Sequence, residues 1–216
     1  MENVQCKLPA LPSLDAEQAI HGQRPEFMDK EWFLNGTVMP PGQEFLVLGI
    51  KKVVQRWEDG KPVEAIVEHP DRELPDVEAL NQAIPKSEWD ITPDGKPRPP
   101  WSLSYAVYLL RLQDAQIFTS INSTQGQRAA AKSLSDSIRW MCALKQKMVW
   151  PVVTLGSQLF SKRFKNYRPD FVIVPGGWRE LSGDGFVEVK QLTASDVGQK
   201  VEKPTLAEEM SDAIEF

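Results

Sequence analysis

The sequence predicts a mainly β, α+β domain: a small antiparallel β-barrel of short strands that carries one long helix. Three observations predict it. Runs of roughly 5–10 residues rich in Val, Ile, Phe and Trp are separated by Gly and Pro turn signals. A single stretch, near the middle of the chain, has helical periodicity. The order is strands, then helix, then strands, which suits a sheet closed on itself with the helix as an insertion.

Residues 1–30 are rich in Pro, Glu and Gln without sustained periodicity, and read as a loosely ordered leader. Glu31 to Leu34 and Gln43 to Ile50 read as strands, the second continuing through Lys51 to Trp57. Pro62 to Glu68 mostly alternates, so Glu58-Asp59-Gly60-Lys61 joins a hairpin. Asp76 to Ala83 is a short helix capped near Asp76. Ile84 to Pro100 holds five prolines and is a long loop of the kind often kept for binding. Ser102 to Leu112 and Ala115 to Ile121 are strands with Gln113-Asp114 between them. Tyr105 and Tyr108 are an odd number apart, so they face opposite sides of the sheet.

Ser123 or Thr124 opens a helix that runs to about Lys147. Ala130, Leu134, Ile138, Met141 and Leu144 form its apolar stripe, and Arg128, Lys132, Arg139 and Lys145 lie largely off it. Val149 to Leu155, Phe171 to Val174 and Phe186 to Val189 are strands. Ser157 to Arg168 reads as a polar, basic and aromatic connection. Trp140 and Trp150 adjoin apolar runs and are assigned to the core. The expected division is a leader over 1–30, a domain over 31–192, and a linker with an acidic tail over 193–216.

No window approaches the roughly 20 apolar residues of a membrane span, and the start Met1-Glu2-Asn3-Val4 does not resemble a secretion signal. Cys6 and Cys142 are too separated in character for a disulfide framework, and His21 and His69 are too scattered for zinc. These features fit a reducing cytoplasm. No phosphate-cradling Gly-rich loop, nucleophile elbow or Cys/His pair is present in the pattern, so nucleotide hydrolysis and acyl transfer have nothing to rest on.

The formal net charge of −5 hides an asymmetry. Residues 1–100 hold 11 bases and 18 acids, net −7; residues 101–169 hold 10 bases and 2 acids, net +8; residues 170–216 hold 4 bases and 10 acids, net −6. A basic middle between acidic flanks points to a polyanion as partner. Within it, Ser161 to Pro169 interleaves Lys162, Arg163, Lys165 and Arg168 with Phe164 and Tyr167. Single-stranded nucleic acid offers base faces on which aromatics stack and phosphates that Lys and Arg neutralise. Trp101, after Pro99-Pro100, is a second stacking candidate. The expected groove is lined by Trp101, Arg128, Lys132, Lys162, Arg163, Phe164, Lys165, Tyr167 and Arg168, on an oligonucleotide-binding-type (OB-like) barrel, with no cofactor or metal.

The last nine residues, Glu208-Glu209-Met210-Ser211-Asp212-Ala213-Ile214-Glu215-Phe216, hold four carboxylates and no base. This acidic stretch ending in Ile-x-Phe, after the linker-like Ala194 to Thr205, resembles the C-terminal tip of bacterial and phage single-stranded DNA-binding proteins. The plan of the chain looks more like a phage or prophage relative, although the resemblance covers only these residues. It implies that Glu208, Glu209, Asp212, Ile214, Glu215 and Phe216 recruit replication or recombination proteins and compete with DNA for the protein's own groove. It also implies action in the bacterial host cytoplasm during phage or plasmid replication or recombination. Barrels of this kind often form homo-oligomers.

A second motif points elsewhere. Arg168-Pro169-Asp170 is followed, 18 residues after the aspartate, by Glu188-Val189-Lys190. This resembles the PD-(D/E)xK signature of restriction-like nucleases. The resemblance implies Asp170 and Glu188 holding Mg²⁺ and Lys190 orienting the attacking water. Against it, that fold continues after its E-x-K strand with a helix and another strand, and the 26 residues after Lys190 here form a polar, proline-containing and acidic stretch. A third reading, a non-catalytic protein that imitates DNA with its acidic segments, fits residues 1–100 and conflicts with the basic middle.

Overall fold

The computed structural model describes residues 19–92, 95–161, 166–182 and 185–188. In chain order the elements are β1 (Glu26–Met28), β2 (Glu31–Leu34), β3 (Thr37–Val38), β4 (Glu44–Glu58), β5 (Lys61–Val67), α1 (Val77–Gln82), β6 (Asp90–Ile91), β7 (Pro97–Arg98), β8 (Trp101–Arg111), β9 (Ile117–Asn122), α2 (Gln125–Lys145), β10 (Trp150–Ser161), β11 (Asn166–Ser182) and β12 (Gly185–Glu188). The protein is mainly β and its named strand pairs are antiparallel.

Seven strands make the principal sheet, in the order β12-β11-β10-β4-β8-β9, with β5 also on β4. β4 runs 15 residues because it serves three neighbours. β8 occupies one edge from Phe45 to Arg56. The other edge is divided: Glu44 to Leu46 pair with β10, and Val53 to Glu58 pair with β5. The β4–β5 turn falls at Asp59-Gly60, both at positive φ (50° and 73°), as a two-residue hairpin requires. Among the described residues no pair joins β9 to β12, so the sheet is open and the expected closed barrel is not formed by these strands. The outer edge of β9 is met instead by Gln23, whose N–H donates to Ile117 O and whose carbonyl accepts from Thr119 N.

Residues from Ala19 onward, expected in the leader, are part of the fold. Ala19 is buried, Tyr108 Oη donates to Ala19 O at 3.2 Å, and β1 pairs with β2. Residues 19–30 belong to the fold through main-chain bonds, which apolar periodicity does not report.

α2 crosses one face of the sheet. Ala130, Ala131, Leu134, Ile138 and Cys142 pack there on Phe45, Val47, Val107, Leu109 and Phe118. The stripe ends at Cys142 rather than Leu144, which is exposed. The opposite face carries Val53, Ala106, Tyr108 and Ile121 in a second cluster. Tyr105 and Tyr108 do take opposite faces. Burial pushes the Tyr108 phenol up to about 12. Trp150 is core, as expected.

Beyond Thr154, β10 outruns β4 and continues with β11 alone to the Ser161–Asn166 pair. Residues 157–161 and 166–168, expected as an irregular connection, are the arms of this ribbon. The β1–β3 sheet supports it: Trp32 Nε1 donates to Gly156 O at 2.8 Å and its ring lies 5.8 Å from that of Phe171.

Candidate nucleic-acid interface

The start of α2 and the start of β11 meet. Thr124 caps the helix, its hydroxyl accepting from Gln127 N at 3.3 Å. The first turn holds no acid, so the positive end of the helix dipole is left uncompensated by its own residues. A Cβ on Gly126 would lie 2.9 Å from Arg168 Cβ, so only glycine permits this approach of helix to ribbon. Arg168 is held in place by Gln158, whose Oε1 accepts from Nε at 3.1 Å and from the neighbouring guanidinium nitrogen. Its other guanidinium donors have no partner among the described residues.

Beside Arg168 on the ribbon stands Tyr167, 38% exposed, with Lys30 Nζ 4.4 Å from its ring centre. On α2, two residues past Gly126, Arg128 is exposed, and Lys132 follows one turn later, also exposed. Arg128 in turn reaches a cavity of about 630 Å³ that it shares with Lys52, Arg98 and Trp101. Arg168, the α2 start, Arg128 and the cavity thus follow one another, while Tyr167, next to Arg168 on β11, faces the other side of the ribbon with Lys30.

Ion pairs decide which bases of the central segment are available. Arg111 is bonded to Asp114 at 2.6 Å, which raises the arginine and lowers the aspartate relative to their ordinary values. Arg139 pairs with Asp136, and Lys147 with Glu180. Among the described residues no carboxylate lies within ion-pair distance of Arg128, Lys132 or Arg168. The neutralised bases lie elsewhere on the chain, and the unneutralised ones gather around the α2 start.

Of the nine groove residues expected, Arg168, Arg128 and Lys132 lie around the α2 start, and Tyr167 is exposed on the other face of the ribbon. Trp101 corrects the expectation. It is only 8% exposed, and the Asn81 side-chain amide binds its backbone twice, accepting from Trp101 N at 2.9 Å and donating to Trp101 O at 3.0 Å. α1 thereby covers it, and it forms cavity lining rather than a stacking platform. Lys162, Arg163, Phe164 and Lys165 lie outside the described residues, as does the tip Glu208, Glu209, Asp212, Ile214, Glu215 and Phe216. Trp140 is a second correction: assigned to the core, it is 65% exposed. At about 100° per residue it stands some 200° from Ile138, on the far side of the helix.

Lys30, Lys52 and Arg98 were not anticipated. Lys30 follows a short strand inside the supposed leader, and Lys52 and Arg98 lie outside the basic segment 101–169, beside Lys51 and Lys96. Only the fold places them beside the basic segment.

The nuclease constellation is not assembled. Asp170 pairs with Gly156, and Glu188 pairs with Arg179, which itself faces Trp150. Six residues of β10 separate the two positions, about 20 Å at ~3.3 Å per residue. Two carboxylates holding one Mg²⁺ must both lie within about 2–2.6 Å of it. Lys190 lies outside the described residues. Among the described residues no group of three or more His, Cys, Asp or Glu side chains is placed to hold a metal, and no helix is long and apolar enough to cross a membrane.

No protein-family model, no curated protein and no solved structure matches the chain.

Proposed function

We propose that this chain is a non-catalytic single-stranded DNA-binding protein that acts in phage or plasmid replication or recombination. The observation that carries the reading is a set of cations around the α2 start, Arg168, Arg128 and Lys132, that have no ion-pair partner among the described residues, with exposed Tyr167 and Lys30 on the other face of the adjoining ribbon. Phosphates lie along the cations and a base stacks on Tyr167, with little reading of sequence. Lys162, Arg163, Phe164 and Lys165 follow Ser161 in the sequence and add three cations and an aromatic to the proposed binding set. An OB-like barrel is the finer architecture of this proposal. The binding surface does not depend on it, because helix and ribbon build the surface whether or not the sheet closes.

The acidic tip takes a partner replication or recombination protein and competes with the strand for the basic surface. Removing residues 208–216 then leaves DNA binding unchanged or tighter.

The test is incubation of the full chain with labelled single- and double-stranded oligonucleotides, with and without Mg²⁺. The expected result is a shifted single strand, a weaker shift of duplex, and no cleavage. Mg²⁺-dependent cleavage lost in Asp170→Ala would replace this reading with the nuclease one.

A further inference from the structure

The cavity at the end of the sheet has a charge that a strand interior does not match. Lys52 on β4, Arg98 on β7 and Arg128 on α2 come from three separate elements and line one space of about 630 Å³. Asp76 is the acid in that lining, and its Oδ1 already accepts from Glu78 N at 2.9 Å as the cap of α1. Three cations and one carboxylate leave a charge of +2. The Glu68 carboxylate near Lys52 accepts from the Lys52 backbone N–H, and among the described residues none of the three cations has an ion-pair partner. Arg98 is steadied by the Trp57 ring, 5.2 Å from its guanidinium carbon.

A phosphodiester carries one negative charge. A phosphate monoester carries about −1.5 to −2 at pH 7 and offers three acceptor oxygens. The volume falls within the roughly 300–1,000 Å³ of small-molecule sites. Val54 and Leu103 supply apolar wall against which a sugar or base can lie.

We propose that this cavity binds a nucleotide phosphate monoester, the phosphorylated end of a strand whose remainder follows the α2 start and the ribbon. This rests on the strand-binding reading above. Arg128 belongs to both surfaces, so the strand would leave the cavity along α2.

The test compares oligothymidylates of one length bearing a 5′-phosphate, a 3′-phosphate or no phosphate, by fluorescence anisotropy on the full chain. Thymidine monophosphate and thymidine serve as competitors. One phosphorylated form is expected to bind roughly tenfold more tightly than the unphosphorylated strand, the scale of charge-assisted hydrogen bonds. In Lys52→Gln/Arg98→Gln, both exposed positions outside the ribbon, the ratio falls to about one. Competition by thymidine monophosphate and not by thymidine at matched concentration would identify a free nucleotide as the source of the same group. Equal affinity of all three strands overturns the monoester site and leaves strand binding standing. No binding by any strand overturns the strand reading, and this inference with it.

Discussion

Under α2, strands β4, β8 and β9 present Phe45, Val107, Leu109 and Phe118 to a packed layer. Beyond Thr154, the last partner of β4, the strands of the β10–β11 ribbon pair only with each other among the described residues, and Leu159, Tyr167 and Val172 are exposed to solvent. Both are antiparallel sheet, yet different forces hold them. In the first, apolar burial contributes most and tolerates little change. In the second, main-chain bonds and the support of Trp32 keep two strands extended while their side chains remain available. The difference separates two roles: the covered centre fixes the fold, and the ribbon with the α2 start presents the surface proposed to bind the strand.

The largest expected effect breaks the centre. Phe118→Ala removes a ring that is 0% exposed and packs edge-on to Phe45 at 5.4 Å. It should cost about 3–5 kcal/mol in urea unfolding. The matching change on the ribbon, Val172→Ala at a residue 45% exposed, should cost less than about 1 kcal/mol. Equal costs would erase the distinction between the two regions.

At the junction of the two regions, Thr124→Ala removes the α2 cap and should cost about 1 kcal/mol, with Thr124→Ser close to neutral. Tyr108 gives a pH signature of the centre. Its phenol is raised from 10.0 to about 12, so the folded state holds the proton that the unfolded state releases. The stability it contributes is full below pH 10 and is lost as pH rises toward 12. Ultraviolet titration should show one tyrosine ionising late, and Tyr108→Phe should abolish that step. The smallest stability effect belongs to Arg168→Gln on the ribbon, within about 0.5 kcal/mol, although it should weaken single-strand binding.

Much of the centre is written in periodicity. Apolar runs mark β4 and β8, alternation marks β5, Asp59-Gly60 marks the β4–β5 turn, and Thr124 with the Ala130–Leu134–Ile138 spacing marks α2. The ribbon is not so written. Residues 157–159 and 166–167 are exposed and show no apolar face, and the strands they belong to form by pairing with each other. Residues 19–30 escaped notice for a related reason: Gln23 joins β9 by backbone groups that any residue carries. Of the site, Tyr167, Arg168, Arg128 and Lys132 were readable from the charge map. Burial of Trp101 was not, since it depends on Asn81 arriving from another element. Exposure of Trp140 was readable from helical geometry, which places it opposite Ile138. The separation of Asp170 from Glu188 required strand register, which two matching motifs cannot supply.

The central claim is that the cations around the α2 start neutralise a single strand's phosphates, and the salt dependence of binding measures this most directly. In log–log form, each neutralised phosphate adds about 0.7 to the slope for single strands. The triple variant Arg128→Gln/Lys132→Gln/Arg168→Gln should retain its fold and lose about 2 from the slope of the full chain. An undiminished slope in a folded triple variant would contradict the account.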